Sequence, residues 1–190
     1  TVGVTTSGRV SADGRVTAAN LGWVDVDLGN QLREQFSVPV QVTSVSAAIV
    51  GSEMQSRPDL GMPSVLALFA DDSIACAISH PDGVEPIEVE QGELTTRGLI
   101  DAIGVENIRT LKDAVTDSRE DTRYALDRRA RGLGALVAGL CSNYSPATVV
   151  VAGSAFIDDP LASAPFARTV RSEANCSPEL RLIPTHREVV

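Results

Sequence analysis

An acidic pair between two apolar runs is the first feature of this sequence that could do chemistry. Asp71 and Asp72 stand between residues 65–69 and 74–78, so the chain is expected to turn at this point. Two neighbouring carboxylates can also bind a divalent metal such as magnesium. A solvated hairpin turn and a magnesium site are therefore the two interpretations, and the turn chemistry of aspartate favours the first.

Three cysteines and a histidine in the interior of the chain offer little metal or nucleophilic chemistry. Cys76, Cys141 and Cys176 lie 65 and 35 residues apart, a spacing that fits neither a disulfide framework nor a CxxC zinc clip. His80 precedes Pro81-Asp82-Gly83 and is expected to be a turn residue. The sequence therefore predicts no metal and no cofactor, and free thiols favour a cytoplasmic location.

The charge and length of the chain restrict the kinds of protein to which it can belong. It has 190 residues, 25 of them acidic and 16 basic, with a net charge of -9 that repels a phosphate backbone. Hydrophobic residues make up 43%, enough for a folded core, and no segment is predicted to span a membrane. The chain begins without methionine inside an apolar run, so we expect it to be part of a longer protein.

The elements that must position these residues can be read from hydrophobic periodicity. The first part is predicted to contain a strand at residues 2–6, a hairpin turn at 11–14 with Val16 on the return arm, a helix capped by Asp27, a strand at 38–42 and a helix from Ser46 towards Met54. The second part is predicted to contain a meander of strands at 65–69, 74–78 and 84–89, a helix with Ile108, Leu111 and Val115, a long helix from near Ser118, a strand at 148–152, a helix after Pro160 and a strand at 180–183. Residues 56–63 have linker composition, which divides the chain into a lobe at residues 1–57 and a lobe at residues 64–190.

Several segments in this order resemble those of one known family. Residues 3–10 are similar to a strand and turn, with Ser7 where proline is usual, and residues 20–23 read Asn-Leu-Gly-Trp. Residues 125–134 resemble a long helix, and residues 149–154 resemble a strand and glycine turn. Together they resemble the ROK family of repressors, open reading frames and sugar kinases. The resemblance implies an α/β, actin-like ATPase (ribonuclease H-like) fold of two lobes, the N-terminal lobe being incomplete in this chain.

The resemblance also shows where this sequence departs from a kinase. In the family's kinases an aspartate after the strand equivalent to residues 40–42 takes the proton from the sugar hydroxyl, and Val45 stands at that position here. Valine cannot accept a proton, and loss of a positioned base costs about two to four orders of magnitude in rate. Ser44 and Ala47 replace flanking asparagines that hold the sugar. Kinase activity is therefore not expected.

The nucleotide side is altered as well. Asp71 and Asp72 occupy the family's glycine-rich phosphate loop, whose function requires close approach of backbone N–H groups. Gly153 and Ser154 resemble the glycine turn beside the adenosine. The resemblance therefore implies a degenerate nucleotide side, with no ATP bound as cofactor.

The family's zinc module is reduced to its two ends. Residues 92–96, Gly-Glu-Leu-Thr-Thr, resemble its beginning and residues 98–101 its end, while the cysteine loop between them is missing and Leu99 replaces its last cysteine. No zinc is expected. Asn20, Ser44, Glu93 and Asp101 remain as candidate ligand-binding residues by their positions, although each also fits an ordinary turn, strand end or exposed helix.

Three functions remain open. The first is the effector-binding and dimerisation domain of a ROK-type transcriptional regulator, with a sugar or sugar phosphate as effector and with DNA bound only through an upstream winged helix-turn-helix absent from this chain. The others are a ligand-free pseudokinase scaffold and, with least support, an active ATP-dependent sugar kinase. The first predicts a homodimer or a dimer of dimers.

Overall fold

The fold combines three sheets with seven helices in the described part of the chain. A computed structural model describes residues 1–56 and 64–183, so the predicted linker lies outside the described residues apart from Ser56. The strands are β1 (Val2–Thr6), β2 (Arg9–Val10), β3 (Val16–Ala18), β4 (Trp23–Val26), β5 (Val40–Ser44), β6 (Val65–Ala70), β7 (Ile74–His80), β8 (Gly83–Ile87), β9 (Thr148–Ala152) and β10 (Glu179–Leu182). The helices are α1 (Leu28–Gln35), α2 (Val45–Ser56), α3 (Thr96–Ile103), α4 (Leu111–Thr116), α5 (Glu120–Tyr144), α6 (Ser154–Ile157) and α7 (Ser163–Glu173).

The first part of the chain forms two small sheets. β1 pairs in parallel with β5, from Val2 opposite Val40 to Thr6 opposite Ser44. The predicted turn at residues 11–14 is confirmed, but it joins β2 to β3, with Val10 opposite Val16. β1 therefore takes no part in the hairpin, because its hydrogen bonds are made with β5, which returns beside it after helix α1.

Asp27 begins α1 as predicted. Its carboxylate accepts hydrogen bonds from the backbone N–H of Asn30 at 3.3 Å and from the Asn30 side-chain amide at 2.9 Å. Such a cap satisfies an N–H group that has no partner within the helix. The cap fixes where α1 starts and therefore where the chain turns back towards β5.

The second part of the chain is built on one mixed sheet of five strands in the order β10, β9, β6, β7, β8. The predicted meander is confirmed, since β6, β7 and β8 are antiparallel neighbours. β9 lies parallel to β6, with Phe69 opposite Ala152, and β10 lies parallel to β9. β6 and β9 are fully buried, as expected for central strands covered on both faces.

Helices cover both faces of this sheet. On one face α5 and α7 pack over a core that includes Leu133, Val137 and Phe166. On the other face α2 places Ile49 and Val50 against Val65 and other buried residues of the sheet. α2, which the sequence analysis groups with residues 1–57, therefore packs against the five-stranded sheet.

The long helix α5 begins at Glu120, close to the predicted start near Ser118, and ends at Tyr144. Its predicted apolar stripe is buried, with Leu126, Leu133 and Val137 at most 4% exposed. In the described part of the chain no helix combines the length and the apolar character needed to cross a membrane.

Candidate functional site

The carboxyl ends of two pairs of parallel strands come together in this fold. β1 and β5 end side by side at Thr6 and Ser44, and β6 and β9 end at the Asp71 turn and at Gly153. In open α/β sheets ligands bind beyond the carboxyl ends of parallel strands. We refer to the region formed by the residues that follow these four strands as the strand-end junction.

The turn at residues 71–73, here called the acidic turn, is stabilised by hydrogen bonds within the protein. The backbone N–H of Asp71 donates to the carbonyl oxygen of Ser73 at 3.0 Å, and the N–H of Asp72 donates to Asp71 Oδ1, also at 3.0 Å. Ser154 Oγ donates to the same Oδ1 at 2.6 Å. Asp71 is half-buried while Asp72 is exposed. The predicted turn is therefore present, and one of its two carboxylates is already engaged by hydrogen-bond donors of the protein.

Gly153 allows the two turns to meet. Its φ of 111° lies in the region that favours glycine, and a Cβ built there would lie 2.1 Å from the carbonyl oxygen of Ala70. The backbone after β9 thus passes directly against the end of β6. This close approach places Ser154 within reach of Asp71.

A buried arginine lies beneath the acidic turn. Arg129, on α5, is 5% exposed, and its Nε donates to the carbonyl oxygen of Leu94 at 2.7 Å. Its Nη2 donates to the carbonyl oxygen of Asp71 at 3.0 Å and to Thr96 Oγ1 at 3.4 Å. Nη1 is buried without a hydrogen-bond partner among the described residues. Arg129 therefore ties the turn, the start of α3 and the long helix together.

The charge of Arg129 is only partly compensated. Burial lowers the pKa of its guanidinium to about 10, and the nearby carboxylates of Asp71, Asp72 and Asp159 oppose this effect. The group stays protonated at neutral pH because that pKa is still about three units above 7. A cation with a free N–H group below an acidic turn favours polar or anionic atoms nearby.

The sequence interpretation did not single out Arg129, although its position carried a signal. It lies three residues after Leu126 and four before Leu133, on the buried face of α5. A charged residue inside an apolar stripe needs buried partners, since a charge is rarely buried unpaired. That rule points to Arg129 but does not identify the carbonyl groups that it binds.

Asn20 connects the first sheets to the same region. Its Nδ2 donates to Ser7 Oγ at 3.3 Å, and the carbonyl oxygen of Ser7 accepts from Ser73 Oγ at 3.4 Å. Ser7 directly follows β1, and Ser73 belongs to the acidic turn. Asn20 is exposed and thus reaches the strand-end junction through Ser7.

Ser44 and Val45 lie at the end of β5. Ser44 is 6% exposed, and its Oγ accepts from the backbone N–H of Ala47 at 3.2 Å, which caps the start of α2. The side chain of Val45 is half-buried against the apolar cluster that contains Ile49 and Val50. At the end of β5, Ser44 therefore serves as a helix cap, and the apolar side chain of Val45 offers no proton acceptor.

Glu93 and Asp101 are exposed and paired on the surface. Glu93 Oε2 lies 2.6 Å from Arg128 Nη2, and Asp101 Oδ1 lies 3.0 Å from Arg97 Nε on the same helix. Glu93 is next to Leu94, whose carbonyl binds Arg129, so it adjoins the strand-end junction. Among the described residues, the side chain of Asp101 contacts only Arg97 in an ion pair on the surface of α3.

A cavity of about 660 Å³ adjoins Arg129 on the side of α3 and α5. Glu93, Arg128 and Tyr124 are among its lining residues, with Leu94 and Leu99 contributing apolar surface. This volume lies in the range of small-molecule sites. The strand-end junction therefore brings together Asn20, Asp71, Asp72, Gly153 and Ser154, with Ser44 at its border. Glu93 lines the cavity beside Arg129, and Asp101 lies outside both.

Two threonines and a glycine lie in the segment that the sequence resemblance compares with a zinc module. Thr95 Oγ1 accepts from the N–H of Gly98 at 3.0 Å and caps α3, while Thr96 Oγ1 donates to the Asp71 carbonyl at 3.0 Å. A Cβ on Gly98 would lie 2.4 Å from the carbonyl oxygen of Gly92. Across residues 1–56 and 64–183, no three His, Cys, Asp or Glu side chains are grouped to hold a metal.

Sequence comparison gives relatives that are regulators. The sequence matches no protein-family model. It is 27% identical over 200 residues to the transcriptional regulator Rv0485 of Mycobacterium tuberculosis and to the transcriptional regulator Mb0495 of Mycobacterium bovis. These matches cover 84% of this chain and 46% of each relative, so the chain spans about half the length of the curated relatives it matches.

Structural comparison gives both regulators and kinases. A ROK family transcriptional regulator, a homolog of the E. coli MLC protein, superposes with a TM-score of 0.73 at 14% identity, over 98% of this chain and 59% of that one. A ROK family glucokinase from Streptomyces griseus, in complex with glucose and AMPPNP, gives 0.71 at 16% identity, over 93% and 73%. A ROK hexokinase from Thermus thermophilus gives 0.64 at 15% identity, over 87% and 66%.

These likenesses establish the fold. The chain is an α/β protein with the actin-like ATPase fold of ROK proteins, as the sequence resemblance implied. Its relatives by sequence carry the name of transcriptional regulators, and its structural neighbours include proteins of both kinds.

Proposed function

We propose that this chain is the effector-binding and dimerisation domain of a ROK-type transcriptional regulator that has no kinase activity. The curated relatives support the regulatory part, because they are named transcriptional regulators and align with 84% of the chain. The acidic net charge of -9 supports a proposal in which another, basic part of the full-length protein contacts DNA.

The observation that carries the loss of kinase activity is Val45 at the end of β5. By the family resemblance a general base belongs there, and the valine side chain packs against the Ile49 and Val50 cluster instead. Asp71 and Asp72 support the same proposal on the nucleotide side. Two carboxylates replace glycines that would bring N–H groups close to ATP phosphates.

The effector is proposed to bind at the strand-end junction. Asn20 offers an exposed amide, Asp72 an exposed carboxylate and Ser73 a half-buried hydroxyl, and these groups can exchange hydrogen bonds with sugar hydroxyls. Arg129 lies below the turn and binds the Asp71 carbonyl, so it holds the turn that carries Asp72 and Ser73 in place. A ligand that contacts both strand pairs would favour one arrangement of the two parts of the fold over another.

A thermal-shift titration of the full-length protein tests this proposal. Hexoses, N-acetyl amino sugars, their 6-phosphates and ATP are added separately, and the unfolding midpoint is followed. A ligand at one hundred times its dissociation constant stabilises the folded state by about 2.7 kcal/mol. A shift with a sugar or sugar phosphate and none with ATP supports the effector domain, whereas phosphate transfer from ATP to a sugar would refute it.

Two variants make the titration specific. Asn20→Ala removes an amide at the strand-end junction and should reduce the ligand-induced shift. Asp101→Ala is the matched control, because Asp101 forms only a surface pair with Arg97 and should leave the shift unchanged. If the ligand raises the unfolding midpoint of Asn20→Ala as much as that of Asp101→Ala, the ligand binds elsewhere.

A ligand-free scaffold is the second candidate, and specific contacts favour it. Ser44 caps α2, Glu93 pairs with Arg128, Asp101 pairs with Arg97, and Asn20 donates to Ser7. All four candidate ligand residues therefore already have partners within the chain. On this proposal the domain contributes only dimerisation. No shift with any sugar, sugar phosphate or ATP, together with a dimeric mass by light scattering, would favour the scaffold.

A further inference from the structure

Two cysteines that are distant in sequence are neighbours in the fold. Cys141 lies near the end of α5, and Cys176 lies in the segment between α7 and β10. The thiol of Cys176 donates to the carbonyl oxygen of Cys141, with 3.8 Å between Sγ and O. The side chain of Cys176 also packs against the apolar cluster that contains Cys141. The fold therefore provides the contact that the sequence spacing did not predict.

The two thiols differ in accessibility. Cys141 is 0% exposed within the core beneath α5, whereas Cys176 is half-buried and flanked by the exposed Asn175 and Ser177. Burial, together with the neighbouring Cys176, raises the pKa of the Cys141 thiol to about 12. A small reagent from solvent therefore reaches Cys176 more readily than Cys141.

We propose that Cys141 and Cys176 form a reversible intrachain disulfide when the protein meets a peroxide. The Cys176 sulfur attacks hydrogen peroxide, the O–O bond breaks, and a sulfenic acid and one water are formed. The Cys141 sulfur then attacks the sulfenic sulfur. The S–S bond forms, the S–O bond breaks, and the hydroxyl leaves as water with the Cys141 proton. Both sulfurs are oxidised and the peroxide is reduced, and a dithiol reductant reverses the reaction.

The bond would link the end of α5 to the segment that leads into β10. These elements belong to one packed core, since Cys141 is part of the cluster under α5 and Cys176 packs against it. A cross-link between residues 35 positions apart restricts the unfolded chain and is expected to raise the unfolding temperature.

Peptide mapping of the full protein tests the proposal. The reduced protein is freed of reductant, treated with hydrogen peroxide, alkylated and digested with trypsin without reduction. Cleavage after arginine places Cys141 in the peptide 132–168 and Cys176 in the peptide 172–181, whereas Cys76 lies in neither. The expected product is these two peptides joined, with loss of two hydrogens, and dithiothreitol should separate them.

The main variant is Cys176→Ser, because Cys176 is half-buried and the replacement is small. It should form no cross-link, leave Cys141 as a free thiol and lose the rise in unfolding temperature on oxidation. Cys76→Ala is the matched control, since Cys76 is 1% exposed in β7, and it should cross-link like the wild type. The proposal is overturned if both thiols remain reduced, if Cys176 reaches a sulfinic acid beside a reduced Cys141, or if Cys176 joins two chains.

Discussion

Ser154 Oγ donates a hydrogen bond of 2.6 Å to the carboxylate of Asp71, and this contact joins the turns that follow β6 and β9. Ser154 is 9% exposed and Asp71 is half-buried, so water competes little for the bond. This hydrogen bond holds the acidic turn against the turn after β9, and its contribution to stability can be measured.

A double-mutant cycle on this pair should show coupling. Asp71→Ala and Ser154→Ala should each destabilise the fold by about 1–2 kcal/mol, because a hydrogen bond to a charged acceptor is lost. The double variant should cost less than the sum of the two, by roughly 0.5–1.5 kcal/mol. Urea unfolding of the four proteins provides the measurement, and strict additivity would show that the contact contributes nothing.

Replacing Arg129 should loosen the same region more strongly. Arg129→Met keeps the length of the side chain but removes donors to the Leu94 and Asp71 carbonyls, at an expected cost of about 2–3 kcal/mol. Arg129→Lys keeps the charge and loses the planar fork, so it should lie between the wild type and Met. Hydrogen exchange of the Asp71 turn should quicken in both variants. Unchanged exchange would argue against the arginine holding the turn.

Gly153 and Gly139 should respond to alanine in opposite directions. Gly153→Ala forces a φ of 111° on alanine and drives Cβ into the Ala70 carbonyl, so we expect a loss of about 2 kcal/mol or more. Gly139 is exposed inside α5, and a Cβ added there would meet nothing within 4 Å, so Gly139→Ala should stabilise by about 0.5–1 kcal/mol. Thermal unfolding of both variants tests the pair, and a stable Gly153→Ala protein would contradict the close approach.

The ion pair between Arg123 and Asp159 should contribute far more than surface pairs. Two nitrogens of Arg123 each lie 2.8 Å from a carboxylate oxygen of Asp159, which is 1% exposed. Asp159→Asn should cost about 3 kcal/mol, because it leaves a cation facing a neutral, buried amide. Arg97→Ala removes only the exposed pair with Asp101 and should change stability by less than about 0.5 kcal/mol. Equal effects in denaturant unfolding would contradict this ranking.

Asp113 should give a stability difference that depends on pH. Its carboxylate accepts from the backbone N–H groups of Arg109 and Thr110 at 3.0 and 2.8 Å, and these bonds, with that of the Thr110 side chain, lower its pKa below the ordinary value of 3.8. A lowered pKa means that the stabilisation is complete above pH 3.8 and is lost as pH falls through the folded value.

Asp113→Asn should therefore be less stable than the wild type at neutral pH. The difference should shrink below pH 3.8, where the wild-type carboxyl takes up its proton. Unfolding curves from pH 7 to pH 3 measure it. A difference that stays constant over this range would exclude the carboxylate as its source.

Much of the local structure was predictable from residue patterns. The Asp27 cap, the buried strand at residues 148–152 and the stripe on α5 were each encoded by neighbours in sequence, and the structure confirms them. The partner of β1 was not predictable in this way. Alternation of side chains identifies a strand, but the pairing with β5 depends on a chain reversal through more than 30 intervening residues.

The candidate site was only partly predictable for the same reason. Asp71 and Gly153 were singled out by position, yet Arg129 was not, since two of its three partners are backbone carbonyls that any residue could supply. The contact between Cys141 and Cys176 likewise depends on how α5 meets the segment before β10. The spacing of residues along the sequence does not determine such distances in the fold.

Helix α5 is a rod of 25 residues, about 38 Å long at the usual rise per residue. Arg123 fastens its first turns to Asp159, Arg129 fastens its middle to the acidic turn, and Cys141 lies at its far end. The acidic turn is thus bound to the same helix whose far end carries Cys141, so a ligand that displaced the turn would act directly on α5.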